Sequence, residues 1–165
     1  MSVSAEIVRA YRAPRDVLRR QLAAEKNEGR VLMYLTVACL LFFVAQWPRL
    51  SREAFLDPSI PLEARLGGAL LGWLFIAPLA LYGVAALTRL LARLFGGHGS
   101  FYGARLTLFW SLLVISPLVL LLGLVSGFIG QGPAQNATGL LLLGAFLYIW
   151  GSGLWEAERP PVQTS

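Results

Sequence analysis

Leu106–Gln131 reads LTLFWSLLVISPLVLLLGLVSGFIGQ, 26 residues without one charged side chain. At ~1.5 Å per residue a helix of that length exceeds the ~30 Å of bilayer hydrocarbon. Pro117 stands in the middle of the run. Splitting the run there leaves halves of about 10–14 residues, too short to cross, so the proline predicts a kink within one span.

Three further runs pass the same test. Val31–Trp47 is uncharged and ends in Gln46-Trp47-Pro48, which predicts an interfacial tryptophan followed by a helix stop. Leu66–Thr88 is uncharged, its apolar character continues past Arg89 to Leu94, and it carries Pro78. Ala137–Trp155 closes the set, with Tyr148, Trp150 and Trp155 towards one end. The expected architecture is an all-α integral membrane bundle with four transmembrane helices, at about 31–47, 66–93, 104–130 and 137–155. Five spans is the alternative. Composition agrees: 56% of the 165 residues are hydrophobic and 14% charged, against ~25% charged in soluble domains. A soluble helix would need a polar face for water, and these runs have none.

Charge sets the expected orientation. Arg9, Arg12, Arg15, Arg19, Arg20, Lys26 and Arg30 precede the first run, and Arg89, Arg93 and Arg105 border the second loop. Arg49, Arg52 and Arg65 share the first loop with Glu53, Asp57 and Glu63. The positive-inside bias places both termini in the cytoplasm, with eleven of the fourteen basic residues on that side. Thirteen arginines to one lysine fit a GC-rich bacterial coding sequence, hence a bacterial inner membrane. The net charge of +5 is then a topology signal and not a nucleic-acid footprint.

Residues 1–30 carry Val3, Ile7, Ala10, Tyr11, Val17, Leu18 and Leu22 at helical spacing, with arginines flanking the stripe and Pro14 dividing it. This predicts two short amphipathic helices in the headgroup layer, a cytoplasmic interfacial segment ahead of the bundle at 31–156. The tail 157–165 reads as flexible. In the second loop, Gly96-Gly97-His98-Gly99 permits a left-handed helix stop, and Ser100 is a good N-cap for the next helix.

The second and third spans carry a matched pattern. Gly68 and Gly127, Gly72 and Gly123, and Pro78 and Pro117 are each equidistant from the loop centre at Gly97/His98. An antiparallel hairpin would bring each pair to one depth, predicting close packing of the two glycine pairs.

No run contains Asp, Glu, Lys, Arg or His, which counts against ion-coupled transport. Thr36, Cys39, Tyr82, Ser111, Ser116, Ser126 and Ser152 are the polar residues there, and most are expected to bond a carbonyl one turn back or one freed by proline. His98 is the single histidine and lacks neighbouring ligands, so no metal, cofactor or catalytic residue is assigned.

Leu90-Leu91-Ala92-Arg93-Leu94-Phe95-Gly96-Gly97-His98-Gly99-Ser100-Phe101 resembles the second loop of bacterial Yip-domain proteins, where lysine is usual at the place of His98. Arg12-Ala13-Pro14-Arg15-Asp16-Val17-Leu18-Arg19-Arg20-Gln21-Leu22 resembles the proline-basic segment that precedes that family's first span. The likeness covers about residues 7–155. It implies a multispanning membrane protein, usually drawn with five spans, whose eukaryotic relatives associate with Rab-type GTPases; it supplies no catalytic residues. The expectation is a non-enzymatic protein that binds anionic lipid headgroups, an unknown membrane or cytosolic protein partner, or both, with a homo-oligomer open. The interaction candidates are Arg12, Arg15, Arg19, Arg20, Arg89, Arg93, Gly96, Gly97, His98 and Arg105. The alternatives are a small channel or transporter along the proline-kinked helices and an intramembrane enzyme pairing Ser152 or Cys39 with His98.

Overall fold

The computed structural model describes residues 3–159. Six helices follow one another: α1 (Val3–Arg12), α2 (Pro14–Ala23), α3 (Glu28–Leu56), α4 (Leu62–Leu94), α5 (Phe101–Phe128) and α6 (Pro133–Ala157). The last four are long and apolar enough to cross a membrane, and among the described residues there is no strand. The chain is therefore an all-α membrane bundle.

Its axis is α5. Tyr102–Ala104 and Leu106–Ser116 of α5 are all buried, because α3 and α6 flank it, α1 and α2 cover its first half and α4 touches it over its second segment. Trp110, Phe109 and Val114 of α5 meet Tyr34, Leu35 and Phe42 of α3 in one apolar cluster. Tyr34 and Trp110 pack with ring centroids 5.0 Å apart, and Tyr82 of α4 meets Phe109 edge-on at 5.1 Å. Lipid is as apolar as these side chains, so association here rests on close packing and hydrogen bonds. The centre of the bundle is a packed apolar seam.

The hydroxyls behave as the one-turn rule expects. Thr36, Thr107, Ser111 and Ser126 each donate to the carbonyl four residues back. Pro117 has no N–H for the Leu113 carbonyl, and the Ser116 hydroxyl supplies the missing donor at 2.7 Å.

Three expectations are corrected. The stop at Pro48 does not occur: α3 runs through it to Leu56. Pro48 lies in the crossing with α5, against Gly127, and Arg52 one turn on donates to the Gly127 and Phe128 carbonyls at the end of α5. The helix survives because tertiary contacts hold both sides of the proline.

The glycine pairs of the second and third spans do not meet. Gly123 and Gly127 pack on the backbone of α3 at Ala45 and Pro48, whereas a Cβ at Gly68 or Gly72 would enter open space. Only the part of α4 after Pro78 touches α5; its first half leans on α3. A π-helical turn, Gly72–Ile76, separates the halves, with the Ala77 amide reaching back five residues to Gly72. The wider turn moves the preceding carbonyls away from the Pro78 ring, and α4 changes partner at that point.

The N-terminal helices, expected as a separate interfacial element, are part of the bundle. Ala10, Pro14, Val17, Leu18 and Gln21 are buried, and the Tyr11 hydroxyl donates to the Val114 carbonyl of α5 at 2.6 Å. α1 thus crosses α5 within one turn of Pro117. The flexible tail read for 157–165 begins with ordered residues through Arg159; its remainder lies outside the described residues.

Candidate functional site

One end of the bundle gathers the start of α3, the loop between α4 and α5, the end of α6 and the end of α2. Eight of the fourteen basic residues, Arg19, Arg20, Lys26, Arg30, Arg89, Arg93, Arg105 and Arg159, lie in or border these segments, and we term it the basic face. Arg49, Arg52 and Arg65 lie at the opposite face, where Arg49 and Arg65 pair with Glu53 and Asp57.

The glycine loop is built from the end of α4. Gly96, at φ +81°, takes the left-handed position. Its amide donates to Arg93 and the Gly97 amide to Ala92, the pair of bonds that closes a helix after such a glycine. The Ser100 hydroxyl then caps α5 by accepting from the Gly103 amide at 3.0 Å. Gly97 and Gly99 are required for space and not for backbone angle. A Cβ at 97 would stand 2.9 Å from the Ala92 carbonyl oxygen, and one at 99 would stand 2.7 Å from the Glu158 carboxyl carbon.

Glu158 is the residue around which the loop wraps. Its carboxylate accepts from the Gly99 amide at 2.9 Å and from Arg89 at 3.2 Å, while its backbone carbonyl accepts from the His98 amide at 3.3 Å. Arg89 and Glu158 side chains are 12% and 13% exposed, so this pair is largely shielded and stronger than a surface bridge. Three other ties close the face. Arg19 pairs with Glu156 at 2.7 Å, Arg105 pairs with Glu28 and lies over the Tyr82 ring, and the Tyr102 hydroxyl accepts from the Asn27 amide at 3.2 Å.

The candidate residues therefore divide. Arg19, Arg89 and Arg105 are held in ion pairs, and Arg20 donates to the Asp16 carbonyl. Gly96 and Gly97 shape the loop. Arg12, Arg15, Arg93 and His98 are exposed. His98 borders a shallow apolar cavity of about 550 Å³ with Phe95, Leu154 and Trp155. Ser152 lines a different cavity, beside Arg12, Arg15 and Tyr148, and Cys39 is buried in the core cluster, so the structure gives no shared site to the serine or cysteine and the histidine. Among the described residues no three of His, Cys, Asp and Glu gather as metal ligands.

The acids that organise this face, Glu28, Glu156 and Glu158, were missed in the sequence. Their signal is local: each acid at a span end faces a surplus of arginine, and an unpaired carboxylate there would be costly.

A family model for the Yip1 domain matches residues 8–163, from within α1 to beyond α6. The chain belongs to the Yip1 domain family. No curated protein and no solved structure matches it. Both segments that carry the resemblance, the proline-basic turn of α1–α2 and the glycine loop, lie within the Yip1 domain match. In this Yip1-domain protein they pack on the same two helices, α5 and α6, and Glu158 clasps the glycine loop. The family is one of multispanning membrane proteins, as the four long apolar helices require.

Proposed function

We propose that the chain is a non-enzymatic, multi-pass protein of the bacterial inner membrane, with both termini cytoplasmic. Its basic face serves as an interaction platform for anionic lipid headgroups and a membrane-protein partner. The observation that supports this best is the division among the arginines. Internal acids consume Arg19, Arg89 and Arg105 to lock three segments together, while Arg12, Arg15 and Arg93 stay at the surface and make no salt bridge among the described residues. A structural face needs the first set; the second is free for a ligand of opposite charge.

Deleting the N-terminal segment would be a poor test, because Ala10, Val17 and Leu18 belong to the core. A photo-crosslinking residue placed at Arg93 or His98 in native membranes is better, with Val84 and Gln135 as positions away from that face. Discrete protein adducts from 93 and 98, lost on Arg12→Gln/Arg15→Gln/Arg93→Gln, support the platform. Identical adducts from all four positions would remove its basis.

A further inference from the structure

The turn between α1 and α2 lies well inside the ring of ion pairs. Tyr11 reaches Val114, nine residues and so about 14 Å along α5 from Arg105. From there α2 returns towards the basic face, with Leu18 against Gly153, Leu22 near Gly103 and Arg19 on Glu156. A cavity of about 350 Å³ opens between this turn and α6, lined by Arg12, Arg15, Asp16, Tyr148 and Ser152.

Donors converge on that cavity. Arg12 and Arg15 are exposed at its rim and make no ion pair among the described residues. Ala13 occupies the N-cap of α2 and offers no side-chain acceptor, so the amides of the first turn at Arg15 and Asp16 lack a cap. Ser152 supplies an independent sign. It is 9% exposed and lines the cavity, yet its hydroxyl makes no hydrogen bond among the described residues, whereas Thr107, Ser111 and Ser126 all bond back along their own helices. A largely buried serine whose hydroxyl opens on a cavity shared with two guanidiniums is suited to a phosphoryl oxygen.

We propose that this notch holds the phosphodiester of an anionic phospholipid. Arg12 and Arg15 bind the phosphate oxygens, and the Ser152 hydroxyl donates to one of them. Asp16, the one acid at the site, accepts from a headgroup hydroxyl. With Glu156 one turn on already paired to Arg19, the two guanidiniums and one carboxylate that line the notch leave a single positive charge, which matches a phosphodiester monoanion. The depth of the turn selects a lipid over a soluble phosphate, because the exposed Leu141, about three turns before Ser152, continues the same face of α6 for the acyl chains. The site rests on the reading of the basic face as a lipid- and partner-binding surface, and narrows it to one place.

The test is a titration of the full chain in detergent with phosphatidylglycerol, phosphatidylcholine or inorganic phosphate, read by native mass spectrometry. Phosphatidylglycerol should bind about tenfold more tightly than phosphatidylcholine, and Arg12→Gln/Arg15→Gln should weaken it about tenfold. Ser152→Ala, a small change that leaves the arginines in place, should weaken it by roughly threefold with the melting temperature unchanged. Arg49→Gln, at the opposite face, should bind as the wild type does, and Arg93→Gln should weaken binding less than the double variant does. Equal binding of the two lipids, or unaltered phosphatidylglycerol binding by the double variant, overturns the site. Displacement of the lipid by inorganic phosphate at equal concentration overturns the lipid as its source. Equal losses in the Arg93 and double variants overturn this site yet leave the wider platform standing.

Discussion

Gly123→Ala tests the contact on which the bundle turns. A Cβ on Gly123 would run into the Ala45 carbonyl oxygen, and it would also stand 2.9 Å from the Ala45 carbonyl carbon and 3.1 Å from its Cα. Ordinary contact begins near 3.4 Å, and every obstructing atom is backbone, so no side chain can swing aside. Helices α3 and α5 must separate locally, loosening the neighbouring Pro48–Gly127 contact as well. Overpacking of this kind costs ~1–3 kcal/mol, offset by up to ~1 kcal/mol of better helix propensity. The expected net is about 1–2 kcal/mol of destabilisation. The comparison is Gly68→Ala, where a Cβ meets nothing within 4 Å and only the propensity gain remains. Thermal unfolding in one detergent, followed by near-ultraviolet circular dichroism, should show Gly123→Ala melting several degrees lower and Gly68→Ala level or higher. Equal melting of the two variants would refute the close α3–α5 approach. A loss confined to Gly68→Ala would restore the hairpin pairing that the glycine spacing suggested.

Glu158→Gln should keep an acceptor for the Gly99 amide but leave Arg89 without its counter-charge, so hydrogen exchange at residues 97–99 should quicken while the spans stay protected. Tyr11→Phe removes the bond to the Val114 carbonyl and should cost about 1 kcal/mol, measured as a lower denaturation midpoint. Asp57 tests the opposite face. Hydrogen bonds from Ser59, and then the Arg65 guanidinium, hold its carboxyl below the ordinary 3.8. A depressed folded-state pKa gives stability that is present above the unfolded value and lost as pH falls through the folded one. Protection of the 57–65 turn against proteolysis should therefore decline only below about pH 4, and Asp57→Asn should make it weak and independent of pH.

Four charge-free runs, the even number of spans and the gathering of arginines at one end could all be read from composition and spacing. Each rests on a one-dimensional requirement: about 20 apolar residues to cross hydrocarbon, and basic residues outside it. The glycine stop at Gly96 and the Ser100 cap were legible for the same reason, since they concern bonds within a few residues. The partners of the glycines were not. Gly68, Gly72, Gly123 and Gly127 share a spacing, but a helix with a small-residue stripe can present it to any neighbour or to lipid, and the spacing is silent on which. The π turn before Pro78 redirects α4 and hands Gly123 and Gly127 to α3. The charged N-terminal helices tell the same story: their stripe promised amphipathicity, and only the flank of α5 and α6, with the Val114 carbonyl as acceptor for Tyr11, made them part of the bundle. Local bonding and burial in lipid are written in sequence order. Which surfaces meet depends on shapes that exist once all the helices are in place.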